Sequence, residues 1–352
     1  MELRLKPLAE QTVVITGASS GIGLVTAKRA AAAGARVMLA ARNERDLTAA
    51  VASIRDNGGR AICRVTDVAD ADQVKRLGEA AVAEFGHVDT WVNNAGVSIY
   101  GRCTEIPLED LRRQFDVNYW GEVHGMLTAV ELLRDRGGAL INVASAVADR
   151  AIPLQGNYSA TKHAIKAFTD ALRMELEEAG IPISVTLVKP GSIDTPLFEK
   201  AKSLLGVEPQ PIPPVYAPEV VARVILDAAE RPVRDVIAGG MGKVLSLGET
   251  LSPRLTDKYM ERSTFDSQKT NAPLAGGRPN NLHAPVARDG GERGHFRGRV
   301  HEWSAYTAAA RHPRVAALIG TAAGAAAFLG LRVLDQRRQR SAESPQKPAQ
   351  AD

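Results

Sequence analysis

Tyr158 and Lys162 stand four residues apart in Tyr158-Ser159-Ala160-Thr161-Lys162, a spacing that puts both side chains on one face of a helix. A free tyrosine has a pKa of about 10 and is a poor base at neutral pH. A neighbouring ammonium favours the phenolate and lowers that value. Such a tyrosine can exchange a proton with a substrate hydroxyl or carbonyl as the bonded carbon loses or gains a hydride. Ser145, thirteen positions earlier, offers a hydroxyl that can hold the same substrate oxygen. Asn118 falls inside a helical stretch, where Asn is mildly unfavourable. With Lys162 it could hold a water that passes protons to solvent. Each residue alone is a weak signal, since Ser145 could be a cap and Asn118 a structural amide.

Hydride chemistry needs a carrier, and the sequence holds a place for one. Thr16-Gly17-Ala18-Ser19-Ser20-Gly21-Ile22-Gly23 follows the strand-like run 12–16 and opens a helix. Glycines there permit a tight turn and close approach of backbone to a pyrophosphate. The helix N-terminus adds open N–H groups and the positive end of its dipole. The second strand ends Ala40-Ala41-Arg42, without the carboxylate that usually accepts from the ribose 2′-OH of NAD(H). Arg42 offers a guanidinium fork to a 2′-phosphate instead, with Arg45 as a second cation, so NADP(H) is expected over NAD(H). Asp67, followed by Val68, is placed to accept from adenine. Asn93-Asn94-Ala95-Gly96 supplies small residues and amides to the crevice wall.

The elements that must position these groups read as alternating strands and helices. Strands are expected at 12–16, 35–41, 61–68, 88–96, 138–145, 183–191 and 234–240. Helices are expected at 24–33, 47–56, 74–85, 108–133, 158–179 and 218–229. Near-continuous apolar strands alternating with helices predict a parallel sheet buried on both faces. The glycine loop, Arg42, Asp67 and Asn93 to Gly96 all stand at the carboxyl ends of strands, where open α/β sheets bind ligands.

These motifs resemble the classical short-chain dehydrogenase/reductase family over residues 12 to about 240. The resemblance implies a Rossmann-like, doubly wound parallel sheet of seven strands. It implies a catalytic tetrad at Asn118, Ser145, Tyr158 and Lys162, and cofactor contacts from Gly17 to Gly23, Asp67 and Asn94 to Gly96. A Pro-Gly motif at Pro190-Gly191 brings Ile193 and Thr195 toward the carboxamide and phosphate. The only small departure is Ala144, where a second serine is common. Carbonyl/alcohol chemistry with NAD(P)(H), often in homo-oligomers, is what the resemblance implies. An NADP(H)-binding scaffold without turnover is the alternative, and a sugar-nucleotide epimerase or dehydratase fits less well.

Apolar residues make up 45% of the 352-residue chain and the net charge is +4, enough for a large core and no argument for nucleic acid. The two cysteines, Cys63 and Cys103, have no metal-ligand spacing, and no metal site is expected. MELRLKPLAE lacks an apolar signal core, so the enzymatic part is expected on the cytoplasmic side. Ile99, Tyr100, Ile152, Pro153, Leu197, Phe198, Leu204 and Leu205 flank the catalytic edge and suggest an apolar small-molecule substrate. Beyond the 1–240 domain, a helical extension is expected at 241–263 and a flexible Gly/Pro/Asn-rich linker at 264–312. An apolar helix at 313–334 and a polar Arg-rich tail at 335–352 follow. The uncharged run 315–331 is at the short limit for a span. The flanking arginines oppose the positive-inside tendency. Membrane association, docking on protein and a disordered tail are all open for it.

Overall fold

The computed structural model describes residues 3–287 and 290–311, and Met1–Thr307 form one compact unit. Its centre is a sheet of β1 (Thr12–Thr16), β2 (Arg36–Ala41), β3 (Arg60–Val65), β4 (Thr90–Asn93), β5 (Gly138–Val143), β6 (Ile183–Pro190) and β7 (Asp235–Ala238). The order across it is β7-β6-β5-β4-β1-β2-β3, with every pair parallel. The expected seven-stranded, doubly wound sheet is therefore present. The order reverses between β1 and β4, which opens a crevice at their carboxyl ends. Every residue of β1, β4, β5 and β6 is buried, as a sheet covered on both faces requires.

Helices α1 (Gly21–Ala32), α2 (Glu44–Asp56) and α3 (Ala71–Phe85) return the chain between the first four strands. Asn43 and Asp70 cap α2 and α3 by accepting from the N–H groups of Asp46 and Gln73, satisfying donors a helix start leaves open. Ser20 makes no such cap on α1. The stretch 108–133 is helical throughout, as α4 (Leu108–Phe115), one π-helical turn (Asp116–Trp120) and α5 (Gly121–Leu133). The π turn, which the sequence pattern does not reveal, carries Asn118; such turns tend to occur at functional sites. Helix α6 (Gly156–Glu178) carries Tyr158 and Lys162, and α7 (Leu197–Lys200) and α8 (Pro218–Glu230) follow. Trp91, Met126, Leu77 and Leu140 are fully buried in the main core.

Two expectations beyond Ala238 change. The extension is two helices, α9 (Met241–Leu251) and α10 (Pro253–Ser267). Pro253 lacks a backbone N–H and Ser252 leaves helical geometry at φ −155°, ψ 78°, so the helix breaks there. The segment expected as a flexible linker folds onto the body. Lys269–Pro273 pairs antiparallel with Val207–Pro209, and Val300–His301 pairs parallel with Val215–Tyr216. Leu282 is 0% exposed within the main core. Composition misleads here because a single apolar anchor and backbone carbonyls accepting from arginines do what an apolar stripe does elsewhere. The expected apolar helix 313–334 and the tail lie outside the described residues. Among the described residues no helix is long and apolar enough to cross a membrane.

Gly125 tests how tightly the core fixes the edge of the site. A Cβ there would stand 1.9 Å from Asn93 Oδ1. That amide cannot swing away: it accepts from Trp91 Nε1 at 2.8 Å and donates to Asn142 Oδ1 at 3.0 Å. Gly125→Ala is expected to destabilise the protein by about 2–3 kcal/mol through overpacking, read as a lower denaturant midpoint; an unchanged midpoint would show that α5 can shift.

Candidate active site

One cavity of about 540 Å³ runs along the carboxyl edge of the sheet. Its nucleotide-like end is formed by Gly17, Ser19, Ser20, Gly21 and Ile22, with Arg42, Asp67, Val68, Asn94, Ala95 and Gly96 beside them. Gly17 has φ +65°, and a Cβ on it would meet Ala95 Cα at 2.8 Å. A side chain would therefore be strained and would collide with the Asn94-Ala95 wall. Gly23 does not line the cavity; a Cβ there would strike the Gly17 carbonyl oxygen at 2.4 Å, so it serves the close packing of α1 under the loop. The Asn94 amide donates to the Thr16 carbonyl at 2.9 Å and ties loop to wall. The residues thus fit a dinucleotide: a cradle of glycines, an α1 start without a side-chain cap, and a wall of small residues.

At the other end Ser145, Tyr158, Lys162, Pro190, Gly191, Ile193 and Thr195 line the same cavity. Ser145 leaves β5 in an extended conformation, its Oγ accepting from the Val147 N–H at 3.3 Å. Lys162 is buried. Its Nζ donates to the Val143 carbonyl at 2.9 Å and lies 6.0 Å from the centroid of the Tyr158 ring. The helical spacing of the pair and the end of β5 thereby meet. Asn118 does not line the cavity. Fully buried, it accepts from the Val97 N–H at 2.8 Å and donates to the Val97 carbonyl and to Thr161 Oγ1. Its side chain fastens the strand-following loop to the helix that bears Tyr158.

Two expected cofactor residues are already engaged. The Asp67 carboxylate pairs with Arg113 at 2.6 Å and accepts from the Ala69 N–H. Arg42 donates to the carbonyls of Asn281 and Leu282, and burial lowers its pKa. Arg45 does not line the cavity. On the substrate side Tyr100, Ile152, Leu197 and Phe198 line it, whereas Ile99, Pro153, Leu204 and Leu205 do not. Leu204 is exposed and packs on Gly101. The sequence reading missed the contribution of α10, whose Tyr259, Met260, Ser263, Thr264 and Ser267 complete the cavity. It also missed Lys200, a buried cation of the lining whose ammonium burial pushes down to about 8.

Glu122 was missed as well, although a carboxylate in the otherwise apolar start of α5 was a visible signal. Its Oε2 lies 3.6 Å from Lys162 Nζ, and its Oε1 is buried without a hydrogen-bond partner among the described residues. Burial pushes its pKa up to about 7, against the pull of the Lys162 charge. Among the described residues no cluster of His, Cys, Asp or Glu could hold a metal.

A model of the short-chain dehydrogenase family matches residues 11–204. The Bacillus subtilis (strain 168) protein named uncharacterized oxidoreductase YxnA is 43% identical over 335 residues, covering 93% of each chain. A short-chain dehydrogenase/reductase from Burkholderia phymatum, solved in complex with NAD, superposes with a TM-score of 0.64 at 26% identity. It covers 77% of this chain and 100% of its own. An actinorhodin polyketide ketoreductase solved with NADPH gives a TM-score of 0.52 at 32% identity, covering 55% of this chain and 74% of its own. The chain belongs to the short-chain dehydrogenase/reductase family, a family of oxidoreductases.

The Glu122 shift has a stability consequence. Its folded pKa of about 7 lies above the ordinary 4.5, so the folded state holds the proton more tightly. This group therefore removes stability as pH rises from about 4.5 to about 7, and the loss is complete above that. Glu122→Gln mimics the protonated form. Its Tm relative to wild type is expected to be higher at pH 8 than at pH 5; a difference that stays flat with pH would show that Glu122 titrates normally.

Proposed function

We propose that the protein is an NAD(P)(H)-dependent oxidoreductase acting on a carbonyl or alcohol carbon of an apolar small molecule, with NADP(H) preferred. The observation that carries this reading is the single cavity joining the glycine loop to Ser145, Tyr158 and Lys162. When bound, the nicotinamide supplies or accepts the hydride. The chain's own residues do the rest. Ser145 holds the substrate oxygen by a hydrogen bond. Tyr158 gives that oxygen a proton in reduction and takes it back in oxidation, acting as general acid and base. Lys162 is fixed by the Val143 carbonyl and places positive charge beside the tyrosine ring. Asn118 supports this arrangement through Thr161 and Val97 rather than from the cavity surface. A proton relay through it would run by way of Lys162.

Gly17 to Ile22, Asn94 to Gly96, Ile193 and Thr195 would hold the dinucleotide, with Asp67 and Val68 at the adenine end. The preference for NADP(H) rests on the end of β2, where Ala41 offers no carboxylate and Arg42 offers a cation. Relatives with either cofactor exist: one neighbour was solved with NAD and another with NADPH. The substrate class follows from Tyr100, Ile152, Leu197, Phe198 and Met260 in the lining, since an apolar wall with few polar anchors selects apolar ligands.

Tyr158→Phe separates an enzyme from a binding scaffold. The variant is expected to lose about 10²–10⁴-fold in kcat while NADPH binding, followed by fluorescence titration, stays near the wild-type value. Equal turnover of the two proteins on every accepted carbonyl compound would remove Tyr158 from the chemistry.

A further inference from the structure

The nucleotide end of the cavity has a wall that does not come from the sheet. Asn281, in the segment that follows α10, lines the cavity beside Arg42, Thr66 and Asp67. Its backbone is held on both sides: the N–H donates to the Lys200 carbonyl at 2.9 Å, and the carbonyl accepts from Arg42. Arg278 anchors the same segment by donating to the Phe198 and Ala201 carbonyls. The Asn281 side chain takes no part in these ties. It is 8% exposed, and its Oδ1 is buried with no hydrogen-bond partner among the described residues. A buried acceptor left in this state costs free energy, and the residue that carries it lines a cavity shaped for a ligand.

The charges around it narrow what the ligand must offer. Arg42 and the buried Lys200 both line this end, and Lys200 Nζ donates to Ser20 Oγ at 2.8 Å on the glycine loop. Asp67 pairs with Arg113, while Asp46 and Glu199, which also hold Asn43 and His295, act on Lys200 from outside the lining. A group that fits this end carries a hydroxyl donor for Asn281 Oδ1 and an anion that meets Arg42 and Lys200 together. A ribose bearing a phosphate has both.

We propose that Asn281 and Lys200 complete the subsite for the adenosine ribose and its 2′-phosphate. Asn281 Oδ1 accepts from the ribose hydroxyl, and Lys200 joins Arg42 at the phosphate. This rests on the dinucleotide reading above and extends it to a segment outside the matched family region, which ends at residue 204. It makes the C-terminal segment part of cofactor recognition.

The test uses the full chain, isothermal titration calorimetry, and 5′-AMP and 2′,5′-ADP as probes that differ by the 2′-phosphate alone. Asn281→Ala is expected to weaken both probes about 10-fold, the loss of one hydrogen bond, while the Tm of the empty protein holds or rises because an unpaired buried acceptor is gone. Lys200→Met is expected to weaken 2′,5′-ADP about 10-fold or more and to leave 5′-AMP within about twofold. Wild-type affinity in Asn281→Ala overturns the ribose contact. A parallel fall of affinity and empty-protein Tm assigns Asn281 to wall structure and overturns it too. Equal weakening of both probes by Lys200→Met overturns the phosphate contact. If the wild type binds NADPH and NADH but the variants behave like it, only this inference fails; if the wild type binds no dinucleotide, the proposed function fails with it.

Discussion

An ammonium group sits where little water reaches it, and much of the active edge is arranged around that fact. Removing a charge from water is costly unless hydrogen bonds and an opposite charge replace the lost solvation. For Lys162 the replacements are the Val143 carbonyl and the Glu122 carboxylate. Val143 ends β5, so the bond that solvates the ammonium also joins α6 to the strand tip. Ser145 leaves that tip two residues on, and Tyr158 lies one helical turn before Lys162. The placement of Ser145, Tyr158 and Lys162 is thus tied to keeping one cation satisfied. Glu122 bears the strain of the arrangement, since its own desolvation outweighs the attraction it receives.

The nucleotide end follows a different logic. Ser20 leaves α1 without a side-chain cap, while α2 and α3 are capped in the ordinary way. The Gly21 N–H is instead taken by the Gly291 carbonyl at 2.8 Å. Arg42 and Arg113 both donate to the Leu282 carbonyl. Backbone carbonyls from the C-terminal segment thereby hold two guanidinium groups, one of which, Arg113, also pairs with Asp67.

Much of this was legible in the sequence. The inner strands and the residues at their tips announce themselves by burial on both faces, which demands continuous apolar runs. The tyrosine, lysine and glycine loop announce themselves by spacing. The π turn at Asn118 was not legible, because a one-residue widening leaves helical periodicity nearly intact. The break at Pro253 was visible in the proline itself, which cannot continue a helical hydrogen-bond ladder. The folding of residues 269–301 was hidden for a deeper reason. Its hold depends on Leu282 and on carbonyls meeting Arg42, Arg113 and Arg278, and neither carbonyl direction nor distant arginine partners appear in composition. Lys200 and Asn281 were lost with it, since their neighbours are far away in sequence.

The bond between Gly21 and Gly291 also orders events in time. Chains fold from the N-terminus as they are made, and contacts between distant residues form late because a long loop must close first. The central sheet is complete once β7 has emerged, and its core contains little from beyond it except Leu282 and Met260. The glycine loop is synthesised long before the segment that reaches back to it at Gly291. A nascent chain therefore passes through a stage at which the sheet exists and the nucleotide edge is still open to the surroundings.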